Sequence, residues 1–125
     1  MSSDKLSPFA GEKYLNLETY RKNGTAVATP VWFAEDEGMF YIYSLANAGK
    51  VKRIRNNSSV RVVPCDIRGN VKGEWVGGQA RIVQGDEEAK GHRLLDKKYG
   101  VLKKTGNLIS SLMNRERVVI AIELD

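Results

Sequence analysis

The residues best able to do chemistry lie in one run, Ser44-Leu45-Ala46-Asn47-Ala48-Gly49-Lys50-Val51-Lys52-Arg53-Ile54-Arg55-Asn56-Asn57. Small residues lead into a glycine, and four cations follow within six positions. A helix opening at Ala48-Gly49 leaves backbone amides free at its positive end, which suits an anion. The plain alternative is a solvated helix carrying an ordinary charge run. At 100° per residue, Val51 and Ile54 form a narrow apolar stripe. Lys50 and Arg53 flank it on one side, Lys52 and Arg55 on the other.

Other chemistries find little support. The chain has one histidine, His92, and one cysteine, Cys65. Cys65 sits in the apolar run Val60-Arg61-Val62-Val63-Pro64-Cys65 and reads as a small buried hydrophobe. His92 falls in a charged helical segment, so a cysteine–histidine nucleophile is not indicated. A single histidine argues against a transition-metal site, and a single cysteine cannot form an intramolecular disulfide. No paired-carboxylate motif stands out.

The elements that must position the basic run follow from periodicity. The 125 residues are the size of one domain, with Met1 to Glu12 as a flexible N-terminal arm anchored by Phe9 and residues 13–125 as the folded unit. Tyr14 to Tyr20 alternates as a half-buried strand, and Asn23-Gly24 marks a hairpin turn. Thr25 to Ala34 continues as a second strand, with Val27, Thr29, Val31 and Phe33 on one face. Pro30 places an edge or bulge there. Met39 to Ser44 is a third strand, and the basic helix spans Ala48 to Asn57. Ser59 to Asp66 is a fourth strand, with Pro64 at another edge or bulge. Val71 to Gln84 is a fifth, broken at Gly77-Gly78, where a bulge, a bend or a closely approaching backbone or ligand is expected. A helix from Gly85 to Tyr99 ends at Gly100, Leu108 to Met113 forms a short helix, and Arg117 to Leu124 closes the chain as an apolar strand. Six antiparallel strands with bend-making glycines and prolines predict a mainly β protein, a small barrel with a few short helices.

The formal charge of +5 admits nucleic acid or a phosphorylated small molecule as partner. A single-strand-binding barrel would interleave aromatics with lysines on an exposed sheet face. Here the cations concentrate on a helix, so no nucleic acid is expected. No apolar run reaches transmembrane length and Met1 to Lys13 lacks a signal-peptide core, so no membrane partner and a cytoplasmic location are expected.

Taken in order, Tyr14-Leu15-Asn16-Leu17-Glu18-Thr19-Tyr20-Arg21-Lys22-Asn23-Gly24, Thr29-Pro30-Val31-Trp32-Phe33, Gly49 to Asn57, and Val63-Pro64-Cys65-Asp66-Ile67-Arg68-Gly69 resemble the pyridoxamine 5'-phosphate oxidase-like split-barrel superfamily. The nearest likeness is to its flavin- and deazaflavin-dependent oxidoreductases. The resemblance implies a six-stranded antiparallel split β-barrel working as a homodimer. FMN or the 8-hydroxy-5-deazaflavin coenzyme would lie at the dimer interface, beside a small-molecule substrate. It implies main-chain contacts to the ring from Val27, Ala28, Thr29 and Pro30. The phosphate would fall to Tyr43, Ser44, Gly49 and Lys50, with Arg53 as a second cation. Gln79, beside the glycine pair, is a further candidate for the ring. No side chain is implied as a nucleophile, so the catalytic list is empty. A non-catalytic flavin carrier on the same fold is the alternative. Two departures matter: Gly49 stands where relatives often carry an arginine, and Asp125 ends the sequence just after the last strand, without their pyridoxal-phosphate-gripping extension. Vitamin B6 oxidation is therefore not expected.

Overall fold

The computed structural model describes residues 5–105 and 117–125. Its described residues form seven strands: β1 (Tyr14–Tyr20), β2 (Ala26–Trp32), β3 (Ala34–Asp36), β4 (Met39–Leu45), β5 (Ser59–Cys65), β6 (Val76–Val83) and β7 (Arg117–Leu124). Helix α1 (Gly49–Asn56) follows β4, and α2 (Gly85–Thr105) follows β6. All strand pairs are antiparallel, in the order β2-β1-β5-β6-β7-β4-β3.

That order makes the sheet curl. β2 and β3 lie at its opposite ends, yet the single residue Phe33 joins them. The two edges must therefore meet, which gives a split barrel. This also explains seven strands rather than six: the expected strand from Thr25 to Ala34 breaks at Phe33, where the chain leaves one edge and starts the other. Alternation passes through the break, so periodicity alone does not reveal it. The barrel interior is filled by Leu15, Leu17, Ile42, Val62, Ile120 and Ile122, with Phe9 against Phe33 and Phe40. Val51 and Ile54 of α1 plug this core, as the apolar stripe predicted.

The two prolines within strands occupy positions where the ladder asks for no amide. The Arg21 amide donates to the Thr25 carbonyl at 2.9 Å, which sets the phase of the β1–β2 pair. Thr19·Val27 and Leu17·Thr29 are then the hydrogen-bonded rungs. The backbone polar groups of Ala26 and Ala28 face the open edge, where Pro30 has no N–H to offer. Pro64 lies in a central strand rather than at a sheet edge, but β6 has ended there, and its carbonyl accepts from the Lys72 amide at 2.8 Å. The hairpin turn takes positive φ at Gly24 alone, with Asn23 Oδ1 accepting from the Thr25 amide.

Three local expectations change. β1 is buried on both faces from Leu15 to Thr19, because the β5–β6 connection folds over its outer side: Asn16 Nδ2 donates to the Gly69 carbonyl at 2.8 Å. Glu18 there accepts from Arg61 Nε at 2.6 Å and from the Tyr20 hydroxyl at 2.8 Å. β6 begins at Val76 and runs unbroken through Gly77-Gly78. The close approach there is a neighbouring backbone: a Cβ on Gly78 would lie 2.7 Å from the Glu123 carbonyl oxygen. Finally, α2 continues through Gly100 to Thr105. One glycine costs a helix only about 1 kcal/mol. The expected Leu108 to Met113 helix lies outside the described residues.

α2 covers the outer face of β4 and β7, over Tyr41, Val119 and Ala121. Near its C-terminal end it staples the Phe33 corner. The Tyr99 hydroxyl accepts from the Phe33 amide at 3.1 Å and lies 2.8 Å and 2.7 Å from the carbonyls of Phe33 and Lys13. Its ring stacks on Trp32 at 4.4 Å. No helix of the described residues is long and apolar enough to cross a membrane.

Candidate functional site

The start of α1 is electropositive, and the fold leaves its first donors unpaired among the described residues. Its N-cap is Ala48, which has no side-chain acceptor. The Ala48 carbonyl takes the amides of Val51 and Lys52, while those of Gly49 and Lys50 have no partner among the described residues. These are the orphan donors of a helix start.

Arg53 folds back over this end. Its Nε donates to Thr19 Oγ1 at 2.6 Å. A Cβ on Gly49 would lie 2.7 Å from Arg53 Nη1 and 3.5 Å from Cζ. The guanidinium therefore occupies the room that a side chain at position 49 would take.

Lys50 is half-buried beside it, whereas Lys52 and Arg55 are exposed. Burial pushes the Lys50 ammonium below the ordinary lysine range, and the Arg53 charge pushes it further. α1 contains no carboxylate, and its four cations account for most of the chain's +5. The ion pairs among the described residues lie elsewhere: Arg61–Glu18, Lys72–Glu12, Arg81–Glu87 and Lys90–Asp36. A partly buried ammonium beside a second cation, over free amides, is relieved by a bound anion.

The other predicted residues divide by strand face. Val27 stands on the rung opposite Thr19, and Thr29 opposite Leu17, so both face inward. Ala28 and Pro30 are exposed on the outer face. Thr29 Oγ1 is buried with no hydrogen-bond partner among the described residues. An orphaned buried hydroxyl on the strand beside an anion cradle fits a ligand with a polar, phosphate-bearing body. Ser44 is buried facing the core, with Oγ 3.2 Å from the Leu45 carbonyl. Tyr43 points to the opposite face, because successive strand residues alternate. Its hydroxyl lies 3.0 Å from His92 Nδ1 and 3.1 Å from Asp96 Oδ1, under α2. Gln79 is exposed on the outer face, where its Oε1 accepts from Ser58 Oγ at 2.9 Å. The structure thus brings Gly49, Lys50 and Arg53 together, with Val27 on the same rung as Thr19, one strand away. It does not bring Tyr43 or Gln79 to them.

Sequence reasoning missed Thr19. Its one signal was a polar side chain on the inward-facing register of β1, in line with Leu15 and Leu17.

Three large aromatics, Trp32, Tyr41 and Trp75, are taken up in packing. Trp32 stacks on Tyr99, Tyr41 is buried under α2, and Trp75 lies under the Arg61 guanidinium at 5.1 Å. Among the described residues, no group of three or more histidine, cysteine, aspartate or glutamate side chains could hold a metal ion.

The curled antiparallel sheet, with a cationic, uncapped helix start after β4, defines the class of split-barrel folds. A family model described as pyridoxamine 5'-phosphate oxidase matches residues 3–125, and the chain belongs to that family. No curated protein sequence matches it. Solved structures match over nearly the whole chain. An FAD-binding protein from Mesorhizobium loti is 18% identical, with 100% of this chain and 88% of that one covered at a TM-score of 0.67. An F420 reductase is 18% identical, with 96% and 92% covered at 0.62. The haem storage protein HutZ from Vibrio cholerae is 12% identical, with 98% and 89% covered at 0.68. At these identities the likeness is one of fold.

Proposed function

We propose that the protein binds a phosphate-bearing flavin or deazaflavin and transfers a hydride between it and a small conjugated acceptor, as a homodimer with the cofactor at the interface. The observation that carries this reading is the carboxylate-free, partly buried pair Lys50 and Arg53 over the free amides of Gly49 and Lys50. The family and its FAD- and F420-associated structural neighbours support the cofactor class.

Each residue has a stated task. Lys50 contributes a point charge and Arg53 a planar fork of donors to the phosphate. Val27 and Thr29 line the inner side of β2, and the backbone of Ala28 presents its amide and carbonyl along the open edge to a flat polar ring. Pro30 leaves that edge one donor short, which admits a ring atom without competing for an acceptor. The bound cofactor supplies the hydride chemistry; the protein supplies binding, orientation and exclusion of water.

Parallel titrations with FMN and the deazaflavin coenzyme test the reading, followed by cofactor-dependent reduction of quinones or enones. Micromolar or tighter binding of one cofactor is expected. Binding of neither at that level overturns the proposal, and binding without turnover of any acceptor makes the protein a carrier. Sedimentation is expected to give a dimer, and a monomer that still binds cofactor removes the interface from the model.

A further inference from the structure

We propose that Thr19 is the positioning residue of the anion site, acting through Arg53. This rests on the phosphate reading above. Thr19 is 1% exposed, and its Oγ1 accepts from Arg53 Nε at 2.6 Å. Threonine is stiff at χ1, so its oxygen is a fixed acceptor rather than a mobile one. With Nε engaged, the outward Nη1 and Nη2 groups keep their N–H donors for a ligand. Both lie over Gly49, with Nη1 2.7 Å and Nη2 3.6 Å from where its Cβ would be. Three residues thus form one device. Gly49 leaves the room, Arg53 fills it, and Thr19 sets the angle at which the fork is presented.

Thr19 also ties the two ends of the candidate groove together. On its backbone side it forms the hydrogen-bonded rung with Val27. On its side-chain side it holds the guanidinium above the start of α1. Phosphate recognition and the strand proposed for the ring are therefore linked through one buried residue of β1, which itself need not touch the cofactor. A guanidinium left without this acceptor has a choice of rotamers, and a bidentate contact loses its preorganisation.

Valine at position 19 keeps the shape and removes the acceptor, whereas serine keeps the acceptor. Three titrants separate the roles: FMN, the deazaflavin coenzyme, and riboflavin, which has the ring without the phosphate. Thr19→Val is expected to weaken whichever phosphorylated cofactor binds the native protein by about tenfold, the loss typical of a hydrogen bond to a charged group. Riboflavin affinity is expected to stay unchanged. Thr19→Ser is expected to remain within about threefold of native, because the charge-assisted bond survives. Adding Thr19→Val to Arg53→Ala should cost nothing further, since Thr19 acts only through the arginine. In the unliganded protein, the Arg53 Nε–H resonance should exchange slowly with solvent in the native and Ser forms and quickly in the Val form. If Thr19→Val binds the phosphorylated cofactor as the native protein does, or loses riboflavin equally, the positioning role is wrong while the phosphate reading stands. If the native protein binds neither phosphorylated cofactor better than riboflavin, the phosphate reading itself fails and the Thr19 role with it.

Discussion

Two helices lie against the same curled sheet, and their polar groups are used in opposite ways. α2 turns two of its cations and one hydroxyl to the fold. Lys90 pairs with Asp36 at 2.7 Å, Tyr99 satisfies the backbone at the Phe33 corner, and Lys98 Nζ donates to the Phe33 carbonyl at 2.8 Å. α1 buries only Val51 and Ile54, and its four cations form no ion pair among the described residues. Two partly desolvated lysines sharpen the contrast. Burial lowers both, Lys98 to about 8. Lys98 has a carbonyl acceptor and the Phe33 ring at 3.7 Å. Lys50 has no protein acceptor among the described residues and faces another cation. A charge whose donors the fold satisfies is structural, and one that the fold leaves unsatisfied is available to a ligand.

The largest expected effect lies on the α2 side. Tyr99→Ala removes a buried ring and the partner of the Phe33 amide together, and should destabilise the protein by about 3–5 kcal/mol in urea unfolding. Tyr99→Phe should cost about 1–3 kcal/mol, because only the hydroxyl is lost. If either leaves stability unchanged, α2 is not the staple described here.

On the α1 side the signs reverse. Lys50→Ala should weaken cofactor binding at least about tenfold while leaving the unfolding midpoint level or slightly raised, because it relieves desolvation and the repulsion from Arg53. Lys52→Ala should change affinity by less than about twofold, as expected of an exposed charge. Equal losses from the two would remove the distinction between the flanks of α1. Gly49→Ala gives a smaller effect of mixed sign. Its Cβ meets Nη1, so affinity should fall severalfold, whereas replacing glycine in a helix adds up to about 1 kcal/mol of stability.

The smallest effect is in pH dependence. Lys98 sheds its proton near 8 in the folded state and near the ordinary lysine value of 10.5 when unfolded. Between those values the unfolded chain binds more protons, so this residue makes stability rise with pH across that window. The groups facing it are Glu12, the Phe33 carbonyl and ring, and Tyr99. In unfolding curves from pH 7.5 to 10, Lys98→Met should flatten that part of the slope. An unchanged slope would mean that the ammonium is not desolvated at the corner.

Much of the fold follows from short-range rules. The wheel of α1 places Val51 and Ile54 inward and separates Lys50 and Arg53 from Lys52 and Arg55, because helical period depends only on local geometry. β1, β4 and β7 are likewise visible as runs of strand-forming residues. The break at Phe33 is not visible, since it arises from closing a sheet whose first and last strands are consecutive in the chain. Tyr43 and Ser44 are neighbours in sequence, but strand alternation sends one under α2 and the other into the core.

The sequence by itself determined where cations gather and which residues of α1 must be buried, because both depend on residue type and on separations of a few positions. It also carried enough ordered motifs to indicate the family. Only the tertiary structure decided that Arg53 lies over Gly49 and that Thr19, 34 residues earlier, holds it there. That contact depends on α1 packing against β1, a pairing set by the curl of the whole sheet. No local period encodes such a long-range contact, and it turns four clustered charges into one oriented pair and two that remain in water.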